Sequence, residues 1–336
     1  MLLRRAKVMA RSVADGLGEV MALYQLRRLI SGGLYIRLPG RRWIRWTKGE
    51  KIAERSFSAT TLKSRLASRI TVPVFGTGKY VEAHFRYRHH QILISTELNE
   101  VLHMWPSDID ISSYLKLRGA YQGATRCPEL YSIQSREFLE QFVGGVPLSA
   151  VKWDIRHCLV RSLTEQLRLL PTASIESHEK CSLAASLVAI SGQLPESQHL
   201  LDSDELNRFV MSFPWVAAHT DLLTENILLT TDFELVIIDL DPFLMRYFPS
   251  WFDPLTVILD GWSKGVRAVS HLNKDPDTLL EIDLRISNEL VELLGSGMST
   301  NQAIELWCLA SSHLHGWSYP DLRKLWLAKF SPHPIL

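Results

Sequence analysis

The chain has 336 residues, of which 46% are hydrophobic and 22% charged. That length is a prior for about two domains, and that balance belongs to a globular chain with a large core rather than to a disordered one. No apolar run reaches the ~18–20 residues of a membrane span. The basic start is interrupted by Arg11, Asp15 and Glu19, so no signal peptide is expected. Cys127, Cys158, Cys181 and Cys308 are scattered, with neither a C-x-x-C pair nor a disulfide framework, which suits a reducing compartment and argues against structural zinc. The expected location is cytoplasmic.

The net charge of +1 conceals a division: residues 1–66 hold fifteen Lys or Arg against four acids, a segment of +11, and the remainder is −10. With Trp43, Trp46 and apolar residues at helical spacing over 3–30, this segment has three readings. It can dock on the acidic remainder of its own chain. It can make peripheral contact with an anionic membrane, at the inner face, or with an acidic glycolipid. It can also hold nucleic acid through phosphate alone, although no nucleic-acid-binding motif is present and specific recognition is not expected.

In chain order, the spacing predicts a helix over 3–30 that stops at Ser31-Gly32-Gly33, a basic aromatic stretch over 37–46, and a second helix over 53–66. From Val72 the pattern alternates: strands are expected over 72–75 and 80–88 across the Gly76-Thr77-Gly78 turn, then over 91–95 and 100–105. A helix over 111–121 and a hairpin over 128–143 follow, ending at Gly144-Gly145. After Pro147 the period becomes helical, with helices expected over 150–170, 177–192, 203–212, 254–270, 276–294, 300–313 and 320–329 and one β interlude over 215–241. The domains are accordingly a basic helical extension over 1–69, a β-rich lobe over 70–143 and a helical lobe over 144–336.

The β interlude carries the chemistry. His219 and Asp221 follow a short apolar run, Asn226 comes five residues after Asp221, and a hairpin returns through Leu235–Ile238 to Asp239. The hairpin brings Asp221, Asn226 and Asp239 to one end. Phosphoryl transfer from ATP requires such a set, because it is mainly positioning and charge neutralisation: one carboxylate to take the proton of the attacking hydroxyl, and oxygen ligands for magnesium.

The H-x-D-x4-N segment followed by I-I-D resembles the protein-kinase-like superfamily, and is most similar to its aminoglycoside and choline-type small-molecule phosphotransferases, which usually have Gly where this chain has Thr220. The resemblance implies an α+β, two-lobed protein-kinase-like fold with a small β-rich N-lobe and a larger helical C-lobe. It implies Asp221 as base, His219 as the brace of the loop, Asn226 and Asp239 as magnesium ligands, and ATP and Mg2+ as cofactors. Adenine would meet the backbone of Glu140, Gln141 and Phe142. Asp253, in Phe252-Asp253-Pro254, falls where the family places an Asp at a helix start, and a helix N-cap is a sufficient physical reason for it. The strand position where the family carries a basic residue falls near His103, the following helix has no Glu, and Lys79 after the Gly-Thr-Gly turn can stand in for the missing cation, which leaves the phosphate anchor unassigned. The activity expected is phosphorylation of a hydroxyl on a small molecule, sugar or glycolipid. The alternative is a kinase-like nucleotide-binding or pseudokinase scaffold module without transfer activity, which the missing strand lysine favours.

Overall fold

The computed structural model describes residues 26, 28, 30–38, 42–46, 71–77, 79–85, 90–270, 276–295 and 298–330. The chain divides into two compact units, residues 1–111 with 128–142, and residues 112–127 with 143–336. The 112–127 stretch, expected within the β-rich lobe, is thus grouped with the second unit.

The first unit is built on an eight-stranded sheet. Its strands are β1 (Ser31–Leu38), β2 (Arg42–Trp46), β3 (Thr71–Thr77), β4 (Glu82–Phe85), β5 (Gln91–Ser95), β6 (Glu100–Met104), β7 (Leu130–Ile133) and β8 (Glu137–Gln141). Their order is β3-β1-β2-β4-β5-β6-β8-β7 and every adjacent pair is antiparallel. Ala83, Ile92, Leu93 and Phe138 are buried; Ile92 and Leu93 are consecutive, so β5, in the middle of the sheet, is covered on both faces. The sheet extends further toward the N-terminus than expected. Residues 31–38 and 42–46, placed by the sequence reading in a helical extension, pair as a hairpin with Ile36 opposite Ile44. Tyr35, Ile36, Trp43, Ile44 and Trp46 are compatible with a pleated surface once a partner edge is present. The helices expected over 3–30 and 53–66 fall outside the described residues, apart from Leu26, Arg28 and Ile30, the last forming a bridge with Tyr80.

The second unit is mainly helical: α1 (Ile111–Gln122), α2 (Trp153–Leu167), α3 (Ser177–Ser191), α4 (Ser203–Met211), α5 (Phe252–Ser270), α6 (Pro276–Leu294), α7 (Thr300–His315) and α8 (Tyr319–Phe330). Two of these starts are written in the sequence. Asp202 with Glu205 and Ser299 with Gln302 form reciprocal capping boxes at α4 and α7, each side chain satisfying an end amide of the other residue's backbone. At the other end of α7, Gly316 adopts φ 68°, a left-handed stop that glycine takes without steric cost. Helix α5 is the axis of the core. Leu255, Val257, Ile258, Leu259 and Trp262 are at most 1% exposed, and Asp253, Thr256 and Asp260 are buried as well, so the helix is enclosed on every side, with one polar stripe on an otherwise apolar surface. It packs against α2, α6, α7 and α8. Among the described residues no helix is long and apolar enough to cross a membrane.

Two small sheets carry the loop of interest. One has order β10-β11-β14, with β10 (Thr172–Ala173), β11 (Trp215–Ala218) and β14 (Arg246–Pro249); the other has order β13-β12-β9, with β9 (Val146–Pro147), β12 (Ile227–Leu229) and β13 (Leu235–Ile237). Gly145, where the sequence reading ends the hairpin, has a packing reason: a Cβ there would meet the Leu229 carbonyl oxygen at 2.9 Å and Leu228 Cβ at 3.1 Å. Only glycine lets β9 lie that close to β12.

Candidate functional site

Strand β11 is buried at all four positions and ends by delivering His219, Thr220 and Asp221 into a loop. A single tight turn over Thr224–Asn226 closes that loop before β12 begins. The His219 ring spans it. Its Nε2 donates to the Ile238 carbonyl at 3.0 Å, and its Nδ1 accepts the Asp221 amide at 3.3 Å. A carbonyl can only accept and an amide N–H can only donate, so the proton sits on Nε2. The ring thereby ties the residue before Asp239 to the backbone of Asp221.

Asn226 is held in the same way. Its Nδ2 donates to the Asp221 carbonyl at 2.7 Å. The opposite amide orientation would set two oxygens against each other, so the orientation is determined, and Oδ1 is the atom left without a hydrogen-bond partner among the described residues. The Asp221 carbonyl also accepts from the Leu223 amide at 2.9 Å, and the Asn226 carbonyl accepts from the Ile238 amide at 2.9 Å. Asp221, Asn226 and the β13 end that leads to Asp239 are therefore linked by backbone bonds, with Ile227 opposite Ile237 in the hairpin register.

Two backbone conformations in this loop are costly. Thr220 has φ 63° and Asp239 has φ 64°, a region that costs a residue with a Cβ about 1–2 kcal/mol. Thr220 is held there from every side: its amide donates to Asp253 Oδ1 at 3.1 Å, its Oγ1 donates to the Leu244 carbonyl at 2.8 Å, and its carbonyl accepts from His315 Nε2 at 3.1 Å. We expect Thr220→Gly to be more stable than Thr220→Ala by about 1 kcal/mol in urea unfolding, since both lose the hydroxyl bond and only glycine relieves the left-handed strain. Equal stabilities would show that the strain is not stored at this position.

Helix α5 supports the loop from below. Asp253, in its first turn and 3% exposed, accepts the His219 amide at 2.6 Å and the Thr220 amide at 3.1 Å, and the Tyr121 hydroxyl at 3.0 Å. The N-cap role considered from sequence is replaced: this carboxylate is used by the loop rather than by its own helix. Seven residues along α5, Asp260 accepts both the amide and the hydroxyl of Thr224, at 2.9 and 2.6 Å. A separation of seven is two helical turns, so both carboxylates stand on one face and grip the two ends of the loop. Burial, the largest influence, pushes the Asp253 carboxyl above the ordinary carboxylate range, against the opposing pull of His219 and the three donors.

The turn after Asp239 is braced by α1. The Tyr114 hydroxyl donates to the Leu240 carbonyl at 3.1 Å and accepts from Arg118 at 2.6 Å. Asp241 accepts the Phe243 amide on Oδ1 at 2.8 Å and so shapes the turn into β14.

In the first unit the expected nucleotide residues have partners of their own. Lys79 is ion-paired with Glu100 at 2.5 Å on the surface. His103 lies on β6, buried, with Nε2 3.0 Å from Glu140 Oε1 and Nδ1 3.1 Å from His90 Nε2; all three residues are 3% exposed. Trp105 and Phe138 stack about this group, with ring centroids 4.1 Å from His90 and 4.4 Å from His103 respectively. The Gln141 amide donates to the Glu129 carbonyl at 2.8 Å and the Phe142 amide to the Asn99 carbonyl at 3.0 Å, so both donors of that stretch are engaged within the unit.

Sequence reasoning missed Asp260, Tyr114, Tyr121 and His315. The first had a signal: two aspartates seven apart in an otherwise apolar helix must face a polar partner, because a buried carboxylate needs donors. The others had none, since a lone Tyr or His reveals no partner a hundred residues away.

The sequence matches no protein-family profile, and no curated protein matches it. Among solved structures the chain is similar to an aminoglycoside phosphotransferase from Streptomyces rimosus, at 15% identity over 67% of this chain and 89% of that one, with a TM-score of 0.41. It is similar to an ethanolamine kinase from Plasmodium vivax, at 12% identity over 74% and 82%, TM-score 0.40. It is also similar to a macrolide 2′-phosphotransferase from Brachybacterium faecium, at 10% identity over 75% and 92%, TM-score 0.40. Such TM-scores mark a distant likeness, and the reading of this site rests on its own residues.

Proposed function

We propose that the chain is an ATP- and magnesium-dependent phosphotransferase of the protein-kinase-like superfamily that phosphorylates a hydroxyl of a small molecule, with a sugar or glycolipid as the acceptor class. The observation that carries this reading is the linked loop: the Asn226 side-chain amide hydrogen-bonded to the Asp221 carbonyl at 2.7 Å, with His219 joining Asp221 to the residue before Asp239. Asp221 is the base. It accepts the proton of the acceptor hydroxyl as that oxygen bonds to the terminal phosphorus, while the P–O bond to the nucleoside diphosphate breaks and the electron pair leaves with it. His219 keeps the Asp221 backbone in place.

The donor set fits magnesium, a hard cation that takes oxygen ligands. Asn226 spends its nitrogen on the loop and keeps Oδ1, and Asp239 supplies a carboxylate; these two would hold the ion. When bound, magnesium supplies charge neutralisation at the phosphates. Asp253 and Asp260 hold the loop that carries the ligands.

A second reading, a nucleotide-binding module without transfer, is favoured by one observation: the two residues expected to meet phosphate, Lys79 and His103, are engaged with Glu100 and Glu140. Thermal unfolding with and without magnesium-ATP separates the cases. A ligand at 100 times its Kd adds about 2.7 kcal/mol to the folded state. We expect wild type to be stabilised and Asp239→Ala to lose most of that shift. Stabilisation without ADP release in any acceptor mixture would favour the binding module, and no stabilisation at millimolar nucleotide would remove both readings.

A further inference from the structure

A second polar cavity in the helical unit is not used by the loop chemistry. It has a volume of about 470 Å3 and is lined among others by His178, Glu179, Ser182, Arg246, Tyr247 and His313, a size ordinary for small-molecule sites. We propose that this groove binds the anionic oxygens of a phosphate- or carboxylate-bearing ligand.

Arg246 is the anchor. Its Nε donates to the Leu244 carbonyl at 3.2 Å and a terminal nitrogen donates to the Phe243 carbonyl at 3.3 Å. The guanidinium is thereby fixed in orientation at the groove wall, and it stays charged at any working pH. A planar, pre-oriented guanidinium is the group best matched to phosphate and carboxylate. His313 faces it. Its Nδ1 lies 2.8 Å from Ser186 Oγ; with the serine hydroxyl donating, Nε2 carries the proton and is a donor. The two residues line the same space, and partial burial, then the Arg246 charge, lower the pKa of this ring. The hydroxyls of Ser182 and Tyr247 complete a lining rich in donors. Glu179 is the opposing acid, and His178 is occupied by Glu176 at 3.0 Å.

Besides α3, which supplies His178, Glu179 and Ser182, the groove is built on β14 and α7, and both of these also touch the loop that carries Asp221. Strand β14 sets Arg246 opposite Ala218 of β11, and the Leu244 carbonyl that accepts from Arg246 also accepts from Thr220 Oγ1. Helix α7 gives His313 to the groove and His315 to the Thr220 carbonyl. An anion drawn to Arg246 therefore bears on the residue preceding Asp221. The assignment does not depend on phosphotransfer, and its test uses no nucleotide.

The test is an NMR titration of the His313 ring in the full chain, with the signal assigned by its loss in His313→Gln. Methyl phosphate and acetate are the probes, at constant ionic strength set with chloride. Saturable binding of either probe that raises the His313 pKa, and that weakens roughly tenfold or more in Arg246→Gln, supports the site; the probe that binds names the ligand chemistry. No response to either probe in wild type overturns it, as does unchanged affinity in Arg246→Gln. Should Arg246→Gln fail to fold, Glu179→Gln decides: removing the opposing charge tightens probe binding several-fold if the anion sits in this groove, and affinity that is unchanged or weaker overturns the proposal.

Discussion

Asp221→Asn is expected to lower phosphoryl transfer by about 10²–10⁴-fold, the range for loss of a general base, while leaving the magnesium-ATP stabilisation intact. The separation follows from the geometry. The loop holds Asp221 by its backbone: its amide donates to His219 Nδ1, and its carbonyl accepts from Asn226 Nδ2 and the Leu223 amide. An isosteric amide keeps all three bonds, so the loop and the oxygens proposed to hold magnesium stay where they are. What is lost is the carboxylate proposed to receive the proton. ADP release measured over neutral sugar, aminoglycoside and amino alcohol acceptors reports the effect. Turnover within threefold of wild type would remove Asp221 from the chemistry, and loss of nucleotide binding together with turnover would give it a structural role instead.

Removal of Asp253 should be the most destabilising single change in the loop's support. Asp253→Ala leaves the His219 and Thr220 amides and the Tyr121 hydroxyl without their acceptor in a site that is 3% exposed. Each buried group left unpaired costs about 1–3 kcal/mol, so a loss of roughly 3–5 kcal/mol is expected by urea unfolding, within the range for breaking a buried charged network. Thr220 then loses one of the three bonds that hold its left-handed conformation, so turnover falls as well. Asp253→Asn keeps one acceptor oxygen but turns an NH2 toward donors, and should fall between wild type and alanine.

The pH dependence of this pair of proteins carries a sign. Burial holds the Asp253 carboxyl above the ordinary carboxylate range in the folded state. The folded protein therefore keeps its proton to higher pH than the unfolded chain. The stability contributed by this group is fully present below the unfolded pKa and is lost as pH rises toward the folded value. The stability gap between wild type and Asp253→Asn should accordingly narrow as pH rises from about 4. A gap that widens would mean that the three donors outweigh burial.

Much of this protein is legible in its sequence because much of its structure is local. Alternation over residues 80–105 located β4, β5 and β6, and apolar spacing located α2 to α8, since both patterns are periodic consequences of one backbone geometry. Where the pattern was masked by charge, reading failed. The basic and aromatic residues between 37 and 46 suggested a surface extension, yet β1 and β2 belong to the large sheet, because what decides a strand is a partner edge rather than its own composition.

The candidate site divides along the same line. By itself the sequence determined the spacing of His219, Asp221, Asn226 and Asp239, which a short loop and a tight hairpin convert into neighbours without help from distant residues. Only the tertiary structure decided what holds them: Asp253 and Asp260 reaching up from α5, Tyr114 from α1 and His315 from α7. It also decided that His103 pairs with Glu140, thirty-seven positions away, and that Arg246 and His313 share one groove. The physical reason is range. Backbone periodicity specifies contacts within a turn or a hairpin, whereas a buried carboxylate finds its donors wherever packing brings them, and packing depends on the whole chain at once.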